Sequence, residues 1–442
     1  MIALDTLSAL HMPCYGYSRQ TAPKLCEYAN NNILFTRAYS HSPMSLQSHF
    51  SVITSLYPFQ HRITEAFAEA ALDDRYKTLA QVLQSNGYST IYNAPLHDPH
   101  YPLNRGAERG YSIIEQRDDS KLDIDEWEKS IQKFKQNMKS NKPTFLFLQS
   151  YYMHDPYLTG HTNHPFTNLH EYPDIPLTPQ EFTKLSIEYF NYCPGYALKD
   201  ASTKGVLSDD VIQKLNFLKT SHDFGAAYNV YIKLPRPIQT GCLKDWYIKR
   251  INLNNPQEKS YFEALYDEQI LHMDEKLSKF LAFLSEPDVA KSTIVVFDGV
   301  HGEEFMEHGE WGHSNNLYLT SIQVPLIMHV PGMYNKVVKD IVQGIDIYPT
   351  ILSLLGIKPV SKIQGIDLTG LIEGRINAQK NKFVLSEWKG KSAIQTTEWR
   401  LYYDKNKKPL ELYNLLKDPG EQSNILLKNQ NIAKQLLQMA PN

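Results

Sequence analysis

The stretch Thr293-Ile-Val-Val-Phe-Asp-Gly-Val-His-Gly302 decides how the chain is read. Residues 293–297 form an unbroken apolar run rich in β-branched side chains, closed by polar and glycine positions. Such a run reads as a strand covered on both faces. Comparable runs stand at Met1–Leu4, residues 34–38, Ser89–Asn93, Phe145–Leu148 and Pro325–Val330. Helical patterns lie between them. One covers 21–30, opened by Thr21 and Pro23, and another covers 76–86, stopped by Gly87. The clearest spans about 260–285, where Phe262, Tyr266, Ile270, Met273, Leu277, Phe280, Leu281 and Leu284 recur at helical spacing. A further helix at 345–355 ends at Gly356. Buried strands alternating with helices predict an α/β fold, a mostly parallel sheet sandwiched by helices.

Past about residue 375 the pattern changes. Residues 383–386, 392–395, 400–403 and 409–413 read as short strands, followed by an amphipathic helix from about 425. They predict a small C-terminal antiparallel α+β subdomain. The expected organisation is a catalytic α/β domain at 1–372 and the antiparallel subdomain at 373–442. Residues 155–258, rich in Pro, Tyr and Asn, read as an insertion or lid.

With 42% hydrophobic and 21% charged residues over 442 positions, the composition excludes disorder and coiled coil for the bulk of the chain. Lys+Arg 45 against Asp+Glu 48 gives a formal charge of −3, which argues against nucleic acid as a partner. No apolar run approaches the ~20 residues of a transmembrane segment. No signal peptide precedes the first strand, so a cytoplasmic protein is expected, or a chain whose leader or first strand is missing. Cys14, Cys26, Cys193 and Cys242 are widely spaced, and reduced thiols are expected in a chain of this size. Oligomeric state is left open.

Ligands of open α/β sheets collect outside the carboxyl ends of the strands. The polar residues there are Asp5, His154-Asp155, Asp298 and His301. A separate loop, Ser42–His49, precedes a helical stretch at Phe50–Ser55, whose N-terminus would suit an anion. Carboxylates and imidazoles suit a divalent cation, beside which a hydroxyl can act as nucleophile. The residues alone therefore suggest a metal-assisted hydrolase or transferase acting on a tetrahedral anionic ester.

A set of motifs in fixed order carries a resemblance. They are L-D-T-L at 4–7, C-Y-G-Y at 14–17, T-A-P-K-L at 21–25, F-T-R-A-Y-S at 35–40 and S-L-Q-S-H-F-S-V-I-T-S-L-Y-P at 45–58. M-H-D-P-Y at 153–157, H-G-E-E-F at 301–305, W-G-H at 311–313, V-P-L-I at 324–327, D-I-Y-P-T at 346–350 and E-L-Y-N-L near 411 follow. Together they resemble the sulfatase family of the alkaline phosphatase superfamily. The resemblance implies one divalent metal ion, Ca, Mg or Mn in preference to Zn. It also implies a small anionic ester substrate, on a sugar or aryl group.

By the same resemblance Asp5 and His301 are metal ligands, and Ser45 stands at the nucleophile. His49, His154 and His313 assist at the ester. Sulfatases carry C-x-P-x-R or S-x-P-x-R at the nucleophile and convert its first residue to formylglycine. Here the five residues are S-L-Q-S-H, with Gln47 for Pro and His49 for Arg, closer to the branch with a plain Ser or Thr nucleophile. Phosphate or phosphonate esters are then slightly preferred over sulfate esters. The family pattern D-H-G has a metal-ligand Asp where this chain has Val300, which offers no donor atom. Either Asp298 substitutes through a local shift at Gly299, or the metal site is lost. Two functions follow: a metal-dependent hydrolase or transferase, or a catalytically inactive member acting as a binding or scaffold module. Glu303 and Glu304 are candidate partners of imidazole N–H groups, with a solvated loop preferred for Glu304. His308 and His329 are assigned to structure.

Overall fold

The computed structural model describes residues 1–63, 71–95, 105–117, 127–154, 157, 165–167, 197–198, 212–213, 215–216, 242 and 251–441. The chain divides into two units. The first comprises Met1–Arg117, Asp123–Tyr152 and Met273–Asn442, and the second Asp118–Leu122 and Met153–His272.

In the first unit the strands, numbered along the chain, begin with β1 (Ile2–Leu4), β2 (Ile33–Tyr39), β3 (Ser89–Pro95), β4 (Ile113–Arg117), β5 (Thr144–Ser150) and β6 (Val295–Gly299). A short ribbon pairs β7 (Glu304–Phe305) with β8 (Trp311–Gly312). β9 (Gln323–His329), β10 (Lys336–Val338) and β11 (Val342–Gln343) return to the main sheet. Its nine strands run in the order β10-β2-β9-β6-β1-β5-β3-β4, with β11 also on β2. Pairing is parallel except at β9, which runs antiparallel to both β2 and β6. The Pro325–Val330 run therefore makes the sheet mixed, because a buried apolar strand reads the same in either direction.

β1 lies between β5 and β6. Ile2, Ala3 and Leu4 pair with Leu148, Gln149 and Ser150 on one side and with Phe297, Asp298 and Gly299 on the other. All three are buried, as a strand with neighbours on both edges and helices on both faces requires. The strand ends where Thr6 takes a positive φ of 55° and its hydroxyl turns back on the Asp5 carbonyl. A β-branched residue in that region is strained, so the packing around it holds the turn.

The C-terminal sheet is an antiparallel meander, β12 (Val384–Trp388), β13 (Lys391–Gln395), β14 (Trp399–Asp404) and β15 (Pro409–Asn414). Leu385, Ile394, Leu401 and Leu412 face Ala433 and Leu436 of helix Gln430–Met439 in a separate core. The buried Arg400 donates to the Leu317 carbonyl at 2.5 Å and to the Tyr402 hydroxyl at 2.9 Å. Glu421 accepts from the Leu319 amide at 2.8 Å and pins the D-P-G-E-Q-S-N loop to the same segment.

In the second unit Glu268 accepts from the Thr167 amide and hydroxyl, each at 2.8 Å. Tyr157 packs on Phe262 and Tyr266. Most of the expected insertion at 155–258 lies outside the described residues. No described helix is long and apolar enough to cross a membrane.

The expectation of reduced thiols is overturned. Cys14 and Cys26 form a disulfide, Cys242 is disulfide-bonded as well, and no described cysteine is free. The Cys14–Cys26 bridge closes a loop between partners 12 residues apart, tying the first loop to helix Pro23–Asn31. Cross-linking so short a loop restricts the unfolded chain by about 3 kcal/mol. The double substitution Cys14→Ser, Cys26→Ser is expected to lower unfolding free energy by about that amount in urea titrations. An unchanged midpoint would show that the bridge adds nothing.

Candidate active site

The register around β1 sets the site. Asp5 follows β1 directly, and its amide donates to the Ser150 carbonyl at 2.9 Å. Val300 follows β6, and its amide donates to the Leu4 carbonyl at 3.2 Å. Ala3 pairs with Asp298, so two residues on, Asp5 and Val300 stand level on the same face. His301 comes next in the chain, at the carboxyl edge of the sheet.

Ser45 enters from the other side, as the first residue of helix Ser45–Thr54, all ten residues of which are buried. No side chain caps this helix. A serine cluster fixes its approach. Ser40 donates to the Val300 carbonyl at 2.6 Å, lies 2.8 Å from Ser48, and Ser48 donates to the Ser42 carbonyl at 2.9 Å. The loop carrying the hydroxyl is thereby bonded to the residue that precedes His301.

Three atoms meet. Ser45 Oγ lies 3.1 Å from Asp5 Oδ1 and 3.0 Å from His301 Nε2, and those two lie 3.0 Å apart. All three residues are 0% exposed. His301 Nδ1 donates to the Gly302 carbonyl at 2.9 Å. A carbonyl only accepts, so Nδ1 carries a proton and Nε2 is the nitrogen turned toward Ser45 and Asp5. Gly302 is required: a Cβ there would fall 2.1 Å from the Thr320 carbonyl oxygen. Burial works to raise the Asp5 pKa, but His301 foremost outweighs it and holds the carboxyl well below its usual range.

His49 lies on the same helix as Ser45, one turn on, with Nε2 3.7 Å from Asp5 Oδ2. Burial lowers its pKa, partly offset by Asp5. His313 donates through Nδ1 to Glu303 at 3.0 Å, and its ring centroid is 4.5 Å from that of His301. Glu303 thus orients an imidazole. Glu304 is not in a solvated loop: it is buried, accepts from Asn316 at 2.6 Å, and burial pushes its pKa up to about 8. His329 is a satisfied structural histidine bonded to Asn32 and to the Ala290 carbonyl. Asp5, Ser45, His49, His301 and His313 therefore come together in the first unit. His154 belongs to the second unit and is half-buried.

Asp298 does not reach this group. Its register is unbroken from Ile2↔Phe297 to Leu4↔Gly299, leaving it beside Ala3. Gly299 is closely packed, a Cβ there falling 2.6 Å from Pro325 Cδ. Burial alone pushes the Asp298 pKa well above the usual carboxyl range, as expected of an acid with no cation beside it. Sequence reasoning missed Gln149, a buried amide 2.8 Å from His49. A polar side chain inside the run F-L-F-L-Q-S was the available signal.

Sequence and fold both match a known family. The sulfatase family model matches residues 1–357, and the model described as N-sulphoglucosamine sulphohydrolase, C-terminal, matches 307–440. The chain belongs to the sulfatase family. Among curated relatives it is 23% identical over 443 residues to the delta 4,5-hexuronate-2-O-sulfatase of Bacteroides thetaiotaomicron, covering 96% of this chain and 83% of that protein. It is 29% identical over 187 residues to arylsulfatase K of Gallus gallus, covering 39% of this chain and about a third (35%) of that protein. The fold matches a structure solved with its substrate D-glucosamine-2-N,6-O-disulfate at a TM-score of 0.68, with 21% identity, covering 99% of this chain and 96% of that one. It also matches the phosphonate monoester hydrolase of Agrobacterium radiobacter at a TM-score of 0.62, with 16% identity, covering 98% and 93%.

This family typically uses a divalent metal. The donors present do not build such a centre. Asp5 Oδ2 is buried and accepts no hydrogen bond, which suits a cation. Yet Asp5 is the only carboxylate at the triad among the described residues, and Val300 fills the level beside it. A hard cation takes about six to eight oxygen ligands. No group of three or more His, Cys, Asp or Glu able to hold a metal occurs among the described residues.

Two outcomes follow. After dialysis against Ca, Mg or Mn, the wild-type protein should retain substoichiometric metal by elemental mass spectrometry, and Val300→Asp should retain more. Stoichiometric metal in the wild type would contradict the donor argument. Separately, Glu304 has a folded pKa raised above its unfolded value, so its contribution to stability is complete below about pH 4.5 and fades as pH rises through about 8. Glu304→Gln should flatten the fall in melting temperature across that window. An unaltered pH profile would rule the group out.

Proposed function

We propose that the chain is a sulfatase-family ester hydrolase or transferase that works through the unmodified Ser45 hydroxyl. The observation that carries the reading is the Ser45 Oγ held at 3.1 Å from Asp5 Oδ1 and 3.0 Å from His301 Nε2. As the Ser45 Oγ bonds to sulfur or phosphorus, the bond to the ester oxygen on the opposite side breaks; His301 Nε2 is placed to accept the hydroxyl proton, and the departing oxygen leaves as an alcohol or phenol protonated from solvent. Asp5 then faces the imidazolium that forms. Placement of Ser45 at a helix N-terminus adds a favourable field for the anionic ester oxygens.

The substrate class is a small sulfate, phosphate or phosphonate ester on a sugar or aryl group. Support for the sugar comes from relatives named as hexuronate and N-acetylglucosamine sulfatases. Support for phosphonate comes from the phosphonate monoester hydrolase fold and from S-L-Q-S-H at 45–49. The Cys14–Cys26 bridge supports folding in an oxidising compartment in place of the cytoplasm. One observation favours a second reading, a catalytically inactive binding module: Val300, packed in the core, stands level with Asp5.

The test is a panel of aryl sulfate, phosphate and phosphonate esters. Wild-type turnover of at least one is expected, with loss of several orders of magnitude in Ser45→Ala. Intact mass should correspond to an unmodified serine at 45 and should rise by one phosphoryl or sulfuryl group in quenched reactions. Formylglycine at 45 would refute the plain-hydroxyl mechanism. Turnover unaffected by Ser45→Ala would refute the nucleophile, and no turnover across the panel would favour the binding module.

A further inference from the structure

We propose that Gln149 is a positioning residue for the Ser45 centre, selecting the orientation and tautomer of His49. This rests on the reading of Ser45 as nucleophile. Gln149 lies on β5 opposite Ala3, so its side chain shares the face that carries Asp5 two residues further along. It is 0% exposed, near the carboxyl end of an otherwise apolar strand. A buried amide carries four hydrogen-bonding sites, and leaving any of them unmade is costly. Here the sites are used in a definite pattern.

The Tyr92 hydroxyl donates to Gln149 Oε1 at 2.8 Å. Gln149 Nε2 donates to the Tyr151 hydroxyl at 2.6 Å and lies 2.8 Å from His49 Nε2. With the acceptor taken by Tyr92, both amide hydrogens point away from it, one to Tyr151 and one to His49. His49 Nε2 must then accept, which places the His49 proton on Nδ1. The frame is stiff. The Tyr92 ring stacks on Phe147 with centroids 5.3 Å apart, and His49 meets the same Phe147 edge-on at 6.3 Å.

The consequence reaches Asp5. His49 Nε2 is 3.7 Å from Asp5 Oδ2, close enough for an Nε2–H to compete for the carboxylate. Satisfying that nitrogen with an uncharged amide donor leaves Asp5 directed at Ser45 and His301. A glutamate at 149 would do the opposite, accepting from an Nε2–H and placing a second carboxylate against the first. Chain position and function are thus linked: one neutral polar residue in a buried strand sets which proton the helix histidine holds.

The test uses the full chain labelled with 15N-histidine. Long-range proton–nitrogen correlation spectra are recorded, with His49 assigned by its loss in His49→Gln. The wild type should show His49 protonated at Nδ1, and Gln149→Glu should move the proton to Nε2. Gln149→Met, matched in length and apolar, should release the single tautomer into a mixture while preserving the fold by circular dichroism. In turnover, Gln149→Met should lower kcat on the order of 10²-fold, with KM little changed. Wild-type His49 protonated at Nε2, or a tautomer indifferent to both variants, would overturn the proposal. So would unchanged kcat in Gln149→Met. If the spectra behave as expected and no ester is turned over by the wild type, the nucleophile reading fails and the positioning contact stands.

Discussion

The parallel register of β1 between β5 and β6 is the constraint on which the site depends. Backbone hydrogen bonds on both edges of a three-residue strand fix, within a fraction of a residue, what stands beside Asp5. A slip by one position would turn the carboxylate to the opposite face. The register puts Val300 at its side and His301 at the sheet edge. The serine cluster then closes the arrangement by bonding the loop before Ser45 to the Val300 carbonyl. Helix, sheet and triad are therefore one mechanical unit, and the left-handed turn at Thr6 is held by it.

Charge within this unit is divided by surroundings more than by residue type. Asp5 and Asp298 are both buried acids beside the same pair of strands. Two imidazoles and a hydroxyl face Asp5, and its carboxyl is held well below the usual range. Asp298 meets no such partners and is pushed up by burial alone. Burial of an ion is costly unless it is paired and hydrogen-bonded, and here only the first acid is. That difference separates Asp5, at the Ser45 group, from Asp298, which lies beside Ala3. The family fold is retained, and around Ser45 it gathers one ionised acid and one close imidazole.

Orientation of the imidazoles falls to groups outside the triad. Glu303 fixes His313, the Gly302 carbonyl fixes His301, and Gln149 fixes His49. Each uses a different partner type, a carboxylate, a backbone oxygen and an amide. Each ring nitrogen proton is therefore determined by its neighbour, which is what a site handling protons needs.

Much of this was legible in the residues. The buried runs at Met1–Leu4, 145–148 and 293–297 were recognisable because apolar continuity survives whatever lies around it. Asp5 and His301 were legible as polar residues following buried strands, whereas Ser45 was picked out only by the motif resemblance and was expected in a loop before a helix at 50–55, which in fact begins at Ser45. The direction of β9 was not legible, since an apolar strand carries no mark of its polarity. Neither was the Cys14–Cys26 bridge, because thiol spacing along a chain does not give separation in space. Glu304 looked like a solvated acid and proved buried, with its partner Asn316 supplied from 12 residues along the chain. Gln149 stayed hidden for the same reason: its meaning lies in Tyr92, Tyr151 and His49, which are brought to it from three separate segments. The amino-acid order by itself determined which segments are buried and which side chains end them, because burial is written in local pattern. Only the tertiary structure decided which of those ends meet, because strand register and long-range hydrogen bonds join residues that local pattern cannot relate.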